Sequence, residues 1–121
     1  MPTSAAQTPA VLIVEGEPAA RKALCRLVES CGYAPAPVET VADALAATGP
    51  WKLAVVTSAL PDGDGLTVLR HLRSHHRATR TIFLATPFTS ELQDDARQLG
   101  AELVLPKPVP VVRLLEWLRR P

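Results

Sequence analysis

Four short apolar runs recur along the chain: Val11-Leu12-Ile13-Val14, Leu53-Ala54-Val55-Val56, Ile82-Phe83-Leu84 and Leu103-Val104-Leu105. None alternates apolar with polar residues, so each predicts a strand buried on both faces rather than one with a wet side. Between them the apolar residues change to helical spacing, as in Ala20, Ala23, Leu24, Leu27, Val28 and Cys31. The same spacing returns in Leu66, Leu69 and Leu72, in Leu92, Ala96 and Leu99, and in Val111, Leu114, Leu115 and Leu118. A weaker strand is predicted over Tyr33 to Val38, where Pro35 and Pro37 restrict it to a sheet edge or break it. Thr40 caps a short helix carrying Val41, Ala44 and Leu45. Strands that alternate with helices five times predict an α/β fold: one parallel sheet between two helical layers.

Punctuation supports this division. Pro18 stands where a first helical turn tolerates it, and Gly32 and Gly100 are placed to stop helices. Gly49-Pro50 closes the short helix, and Pro61-Asp62-Gly63-Asp64-Gly65 is a turn whose Asp64 caps the next one. Ser90 with Gln93 reads as a capping box. The 121 residues suffice for one domain, and 47% apolar with 21% charged residues is a globular balance. We expect a flexible tail over residues 1–9, a domain over 10–119, and a linker start or chain end at 120–121.

Thirteen basic against twelve acidic residues give a charge of +1, which does not favour direct or broad nucleic-acid binding. No apolar run approaches the roughly 18–20 residues of a membrane span. Met1 to Pro9 has neither the basic cluster nor the apolar stretch of a secretion signal. Two cysteines make no disulfide scaffold, and a cytoplasmic domain is the expectation.

In open sheets of this kind chemistry gathers at the C-terminal strand ends, here Glu15 to Glu17, Thr57, Thr86 and Lys107. Val11 to Pro18 (VLIVEGEP), Leu53 to Gly65 (LAVVTSALPDGDG) and Gly100 to Pro108 (GAELVLPKP) resemble the receiver domains of bacterial two-component response regulators. The resemblance covers residues 10 to 119 and implies a flavodoxin-like αβα sandwich, its five-stranded parallel sheet ordered 2-1-3-4-5. Such domains carry two acidic residues after the first strand and a phospho-accepting aspartate at the end of the third. A hydroxyl residue ends the fourth strand, and a lysine before proline ends the fifth. The carboxylates hold Mg²⁺, the aspartate is the nucleophile, and the hydroxyl and lysine bind phosphoryl oxygens.

This chain keeps part of that set. Glu15 stands at the first acidic position and Gly16 at the second, where the family has its principal side-chain metal ligand. Glu17 follows. Thr57 replaces the phospho-accepting aspartate, while Thr86 and Lys107-Pro108 match. Val104 stands where an aromatic switch residue is usual. The resemblance therefore implies a degenerate receiver that retains the fold and has lost phosphoryl transfer, Mg²⁺ and any cofactor. No nucleophile–base pair survives at the strand ends, which disfavours an enzyme with its own turnover.

Individual residues keep alternatives. Lys107 pairs with Glu15 or Glu17, or lays its stem on the sheet with its ammonium in solvent. Lys107-Pro108 is cis if the family pattern holds. Thr86 is a strand-end hydroxyl bonded to nearby backbone, or a ligand contact. Thr57 is a neutral filler that satisfies its own hydroxyl, a kinase site, or an anion contact with Lys107 and Thr86. His71 and His75 have metal-binding spacing beside His76, but with no third ligand a solvated helix end is expected. Asp62 to Gly65 fails as a calcium loop because His71 falls at the bidentate position. Cys25 and Cys31, six apart on one helix, are small core residues.

On the last helix Trp117 and Arg113 stand beside the apolar stripe. They are interface anchors on the family's usual dimer or partner face, or Trp117 covers the sheet edge. The fourth helix offers Gln93, Asp94 and Arg97 for pairing across a two-fold axis with Arg113 or Arg120. The expected function is phosphorylation-independent signalling by protein contacts, through an attached effector domain, a separate partner or a homodimer. The alternative is sensing of a small anion or metabolite in the former phosphorylation pocket.

Overall fold

The computed structural model describes residues 8–120; residues 1–7 and 121, which hold most of the expected tail and the chain end, lie outside it. The elements run β1 (Ala10–Val14), α1 (Pro18–Ser30), β2 (Ala34–Val38), α2 (Val41–Ala46) and β3 (Leu53–Thr57). They continue with β4 (Ala59–Leu60), β5 (Gly63–Asp64), α3 (Gly65–His75), β6 (Arg80–Ala85), α4 (Ser90–Gln98), β7 (Ala101–Pro106) and α5 (Val111–Arg119). The main sheet is wholly parallel in the order β2-β1-β3-β6-β7, the expected 2-1-3-4-5.

The unalternated strand runs have a direct cause. Leu12, Val14, Ala54, Val56, Phe83 and Ala85 point to one face, where they pack with Val41 and Ala44 of α2, Val68, Leu69 and Leu72 of α3, and Ala96 of α4. Val11, Ile13, Leu53, Val55, Ile82 and Leu84 point to the other face and meet Leu24 and Val28 of α1 and Leu114, Trp117 and Leu118 of α5. Both faces are dry, so the middle of each central strand is apolar, and the buried polar residues Thr57 and Thr81 stand near strand ends with their hydroxyls on main-chain carbonyls. Each fully buried Leu, Ile, Val or Phe contributes about 1.5–3 kcal/mol.

The two strand prolines sit at the sheet edge. Ala34 donates to the Pro9 carbonyl and Val38 accepts from Glu15, so residues 34, 36 and 38 turn their backbone groups toward β1. Pro35 and Pro37 occupy the alternate positions, and their missing N–H groups fall on the open side. The Pro9 contact also draws the inner end of the expected tail into the sheet.

Three local expectations change. The cap of α4 is Thr89, whose side chain accepts from Leu92 N–H at 3.1 Å, one residue before the Ser90 expected for it. The turn at Pro61 to Gly65 includes a two-stranded hairpin, with Ala59 opposite Asp64 and Leu60 opposite Gly63. Helix α2 ends at Ala46, three residues before Gly49. Asp64 and Thr40 cap α3 and α2 as expected, and Pro18 is the first residue of α1.

Candidate functional site

Glu15, Gly16, Glu17, Thr57, Thr86 and Lys107 come together around one cleft of about 480 Å³ at the C-terminal edge of the sheet. Strand β1 delivers the first three, β3 delivers Thr57, β6 is followed by Thr86, and β7 is followed by Lys107. Pro108 follows Lys107 through a cis peptide bond.

Lys107 pairs with Glu15, its Nζ lying 2.5 Å from Glu15 Oε1. The Glu15 side chain is 3% exposed and that of Lys107 31%, so the carboxylate is the enclosed partner. The second Glu15 oxygen accepts from the Glu17 N–H at 3.1 Å. Glu17 does not share the lysine; it caps α1, accepting from Ala19 N–H at 3.1 Å and Ala20 N–H at 2.6 Å. The Ala20 bond, then that of Ala19, holds its carboxyl below the usual range.

Thr57 is 2% exposed, and its hydroxyl donates to the Val14 carbonyl at 3.1 Å. Thr86 is exposed, and its hydrogen bonds in this structure run through its main chain. Its N–H donates to Ser58 Oγ at 2.9 Å, and that hydroxyl donates back to the Thr86 carbonyl at 3.3 Å. Ser58 thus ties the ends of β3 and β6, reinforced by its own N–H on the Leu84 carbonyl.

Three further residues shape the cleft and escape a reading of the sequence alone. The Arg21 guanidinium donates to the carbonyls of Glu15 at 3.0 Å and Gly16 at 3.2 Å, and reaches Glu39 at 3.3 Å, clamping the loop after β1. A Cβ on Gly16 would lie 2.9 Å from the ring Cδ of Pro61, so the proline occupies space beside the missing side chain. A Cβ on Gly65 would overlap the Thr57 carbonyl oxygen, which makes glycine necessary for α3 to start so close to β3. The chemical types of Ser58 and Arg21 were visible, but their partners are main-chain groups that only the fold brings near.

A divalent cation needs several converging anionic or carbonyl oxygens. Here one Glu15 oxygen is held by Lys107, Gly16 supplies no carboxylate and the Thr57 hydroxyl donates to a carbonyl. These residues do not fit Mg²⁺. No group of three His, Cys, Asp or Glu among the described residues converges for a metal elsewhere. His71 and His75 stack with ring centroids 4.3 Å apart, and burial, followed by the charges of His75 and His76, pushes His71 toward the neutral form. Cys25 and Cys31 are free and half-buried.

Trp117 corrects an expectation. It is 1% exposed and lies in the core on the α1–α5 face, so it cannot project toward a neighbour. Its Nε1 donates to Glu102 Oε1 at 3.1 Å, and the Arg80 guanidinium sits 5.4 Å from its ring centroid while gripping the same carboxylate. Arg97 and Arg113 are exposed, as are Val111 at 47% and Val112 at 70%. Val104 is buried. No helix among the described residues is long and apolar enough to cross a membrane.

The chain is 36% identical over 100 residues to the acid tolerance regulatory protein ActR of Rhizobium meliloti (strain 1021), covering 81% of this chain and 52% of that protein. It therefore spans about half the length of that relative. The signal receiver domain of an HD domain-containing protein from Pseudomonas fluorescens Pf-5 superposes with a TM-score of 0.83 at 25% identity, over 93% of this chain and 92% of that one. The receiver domain of the sensor histidine kinase PA1611 from Pseudomonas aeruginosa PAO1 superposes with a TM-score of 0.81 at 22% identity, over 93% and 96%. That structure carries a magnesium ion in its active site cleft. The family model for the response regulator receiver domain matches residues 11–119. On that match, the chain belongs to the response regulator receiver domain family.

Proposed function

We propose that this receiver domain signals through protein contacts without aspartyl phosphorylation. The Glu15–Lys107 ion pair supports this best. The lysine that would meet a phosphoryl group already has a buried carboxylate as its counter-charge. Thr57 adds to it, because a buried hydroxyl donating to Val14 lacks both the charge and the freedom of a nucleophilic carboxylate. The direct test is mass spectrometry after incubation with acetyl phosphate and Mg²⁺, together with a Mg²⁺ titration followed by tryptophan fluorescence. The expected result is an unchanged mass and no saturable response at millimolar Mg²⁺. A gain of one phosphoryl group, or saturable Mg²⁺ binding, would sink the proposal.

Sensing of a small anion in this cleft has less support. Lys107 is spent on Glu15, and Glu17 adds a second carboxylate at the rim.

For output we assign the face of α4, β7 and α5, acting on an attached effector domain, a separate partner or a second copy in the cytoplasm. Arg97 and Arg113 supply its exposed charges, and Val111 and Val112, rather than the buried Trp117, supply its apolar contact. With no phosphoryl group to switch it, this face is permanently competent. Sedimentation of wild type against Val112→Glu and Arg113→Glu tests the dimer form of the reading. A wild type that stays monomeric at hundreds of micromolar leaves only a heterologous partner.

A further inference from the structure

The stretch from Gly65 to Ser90 contains four arginines and three histidines and no acidic residue. At the end of the sheet opposite the Glu15–Lys107 cleft, the last turn of α3 and the loop into β6 bring Arg73, His76 and Arg77 to a cavity of about 200 Å³. No carboxylate among the described residues lines it. Asp95, on the neighbouring α4, lines a separate groove beside Arg70, and Glu102 is held by Arg80.

The donors in this cavity can be followed one at a time. Arg77 has no hydrogen bond or ion pair among the described residues. Arg73 gives one N–H to the Gln98 carbonyl at 2.6 Å and keeps the rest of its fork. The hydroxyls of Thr79 and Thr81 spend their protons on the carbonyls of Trp51 and Gly100, at 2.7 and 3.2 Å. The remaining donors are therefore two guanidinium groups and an imidazole, with no charged acceptor to balance them. Guanidinium forks pair bidentately with phosphate oxygens, and three donors match its outer oxygens better than the two of a carboxylate. A cavity of about 200 Å³ is smaller than the roughly 300–1,000 Å³ of sites for drug-sized ligands, which limits the occupant to a small anion.

We propose that this cavity binds a small phosphate dianion, either inorganic phosphate or a small phosphomonoester, through Arg73 and Arg77 with His76 as a third donor. The donors all come from the end of α3 and the residues after it, the cavity wall continues to Gly100 before β7, and Arg73 links the site to the end of α4 through Gln98. The site is separate from the degenerate cleft and does not depend on how that cleft works.

Titration by amide-resolved NMR at low ionic strength tests the site, with inorganic phosphate and glycerol 3-phosphate as the two probes. Saturable shifts confined to the end of α3, the start of β6 and the start of β7 are expected. Equal affinity for the two probes identifies the free anion as ligand, and tighter binding of the ester identifies an organic phosphate. Arg77→Gln should weaken binding by about tenfold or more, the scale of one charge-assisted contact. Arg73→Gln should do the same, while Arg26→Gln on α1 leaves binding unchanged. Both cavity residues are exposed, and circular dichroism checks that each variant stays folded. Absence of saturable shifts, or an equal loss in Arg26→Gln, overturns the proposal. So does tighter binding of a short DNA duplex to the same arginines, which would make the patch a nucleic-acid surface.

Discussion

Replacing Lys107 by Met tests whether the ion pair neutralises the cleft. Methionine keeps the apolar stem and removes only the charged end. The Glu15 side chain, 3% exposed beside the lysine, then keeps the Glu17 N–H as its one hydrogen-bond partner among the described residues. Each buried ion costs several kcal/mol of lost hydration, which close attraction repays in the intact pair, so the net worth of the pair is small. Breaking it is different, because one charge stays buried without its partner. The general cost is about 3–5 kcal/mol, and the partial exposure of Lys107 places this case near the lower end, about 3 kcal/mol. For a domain of this size that lowers the melting temperature by roughly 10–15 °C.

Glu15→Gln is the complementary change. It keeps an acceptor for the Glu17 N–H, and the released ammonium has a solvent path, so the cost is about 1 kcal/mol. The double variant should be no worse than about 1 kcal/mol, because no buried charge is left over. Urea unfolding of the four proteins, with slopes compared to confirm that the unfolded states match, yields the coupling directly. A favourable coupling of about 3 kcal/mol is the expected outcome. If Lys107→Met costs no more than Glu15→Gln and the two effects simply add, Lys107 is not the counter-charge of Glu15 and the account of the cleft is wrong.

Thr57→Asp alone should remain unphosphorylated by acetyl phosphate, while Thr57→Asp with Gly16→Asp should recover Mg²⁺ binding detectable by titration. The Gly16 change must push the Pro61 ring aside, so adding Pro61→Ala should tighten Mg²⁺ further. Gly65→Ala should destabilise severely, by several kcal/mol, because its Cβ meets main chain rather than a movable side chain; failure to lower the unfolding midpoint would show that α3 can shift. The side-chain bond to Arg80 holds the Glu102 carboxyl below its ordinary range. A depressed carboxyl stabilises the fold above its unfolded pKa and loses that contribution as pH falls through the folded one. Arg80→Gln should therefore return Glu102 toward its normal titration, read by carboxyl NMR, and shrink the acid-side loss of stability.

The parts of the fold that were legible were those whose cause is local or periodic. A strand packed on two faces must be apolar at consecutive positions, and Leu53 to Val56 shows this without reference to the rest of the chain. Asp64 caps α3 from the adjacent residues, so its role is visible in the order of residues. Asp62 is the opposite case. It accepts from Val41 and Ala42 at 2.7 and 3.0 Å, capping a helix that precedes it by about twenty residues, and nothing in the turn itself announces that. Trp117 was misplaced for a similar reason. The stripe of α5 can be drawn through Leu114 and Leu118 with the indole inside or outside, and what decides it is Glu102 on β7, which satisfies the indole N–H. At the cleft, the family pattern brought Glu15, Thr57, Thr86 and Lys107 together, but the Ser58 and Arg21 bonds to main-chain groups depend on three-dimensional proximity.

The substitutions at the cleft are physically linked. With threonine at position 57, no carboxylate ends β3 opposite Lys107, and a lysine left alone there would lack a counter-charge. Glutamate at position 15 is one methylene longer than the aspartate usual in the family and makes contact with the lysine. That contact holds one Glu15 oxygen, and glycine at position 16 provides no second carboxylate, so too few free carboxylate oxygens converge here for a metal site. Glycine at 16 also lets the Pro61 ring pack against it, and Arg21 holds the Gly16 carbonyl at 3.2 Å. Restoring one acidic residue meets a cleft whose charges and contacts are already satisfied, which is why the single Thr57→Asp change is expected to fail where the paired change succeeds.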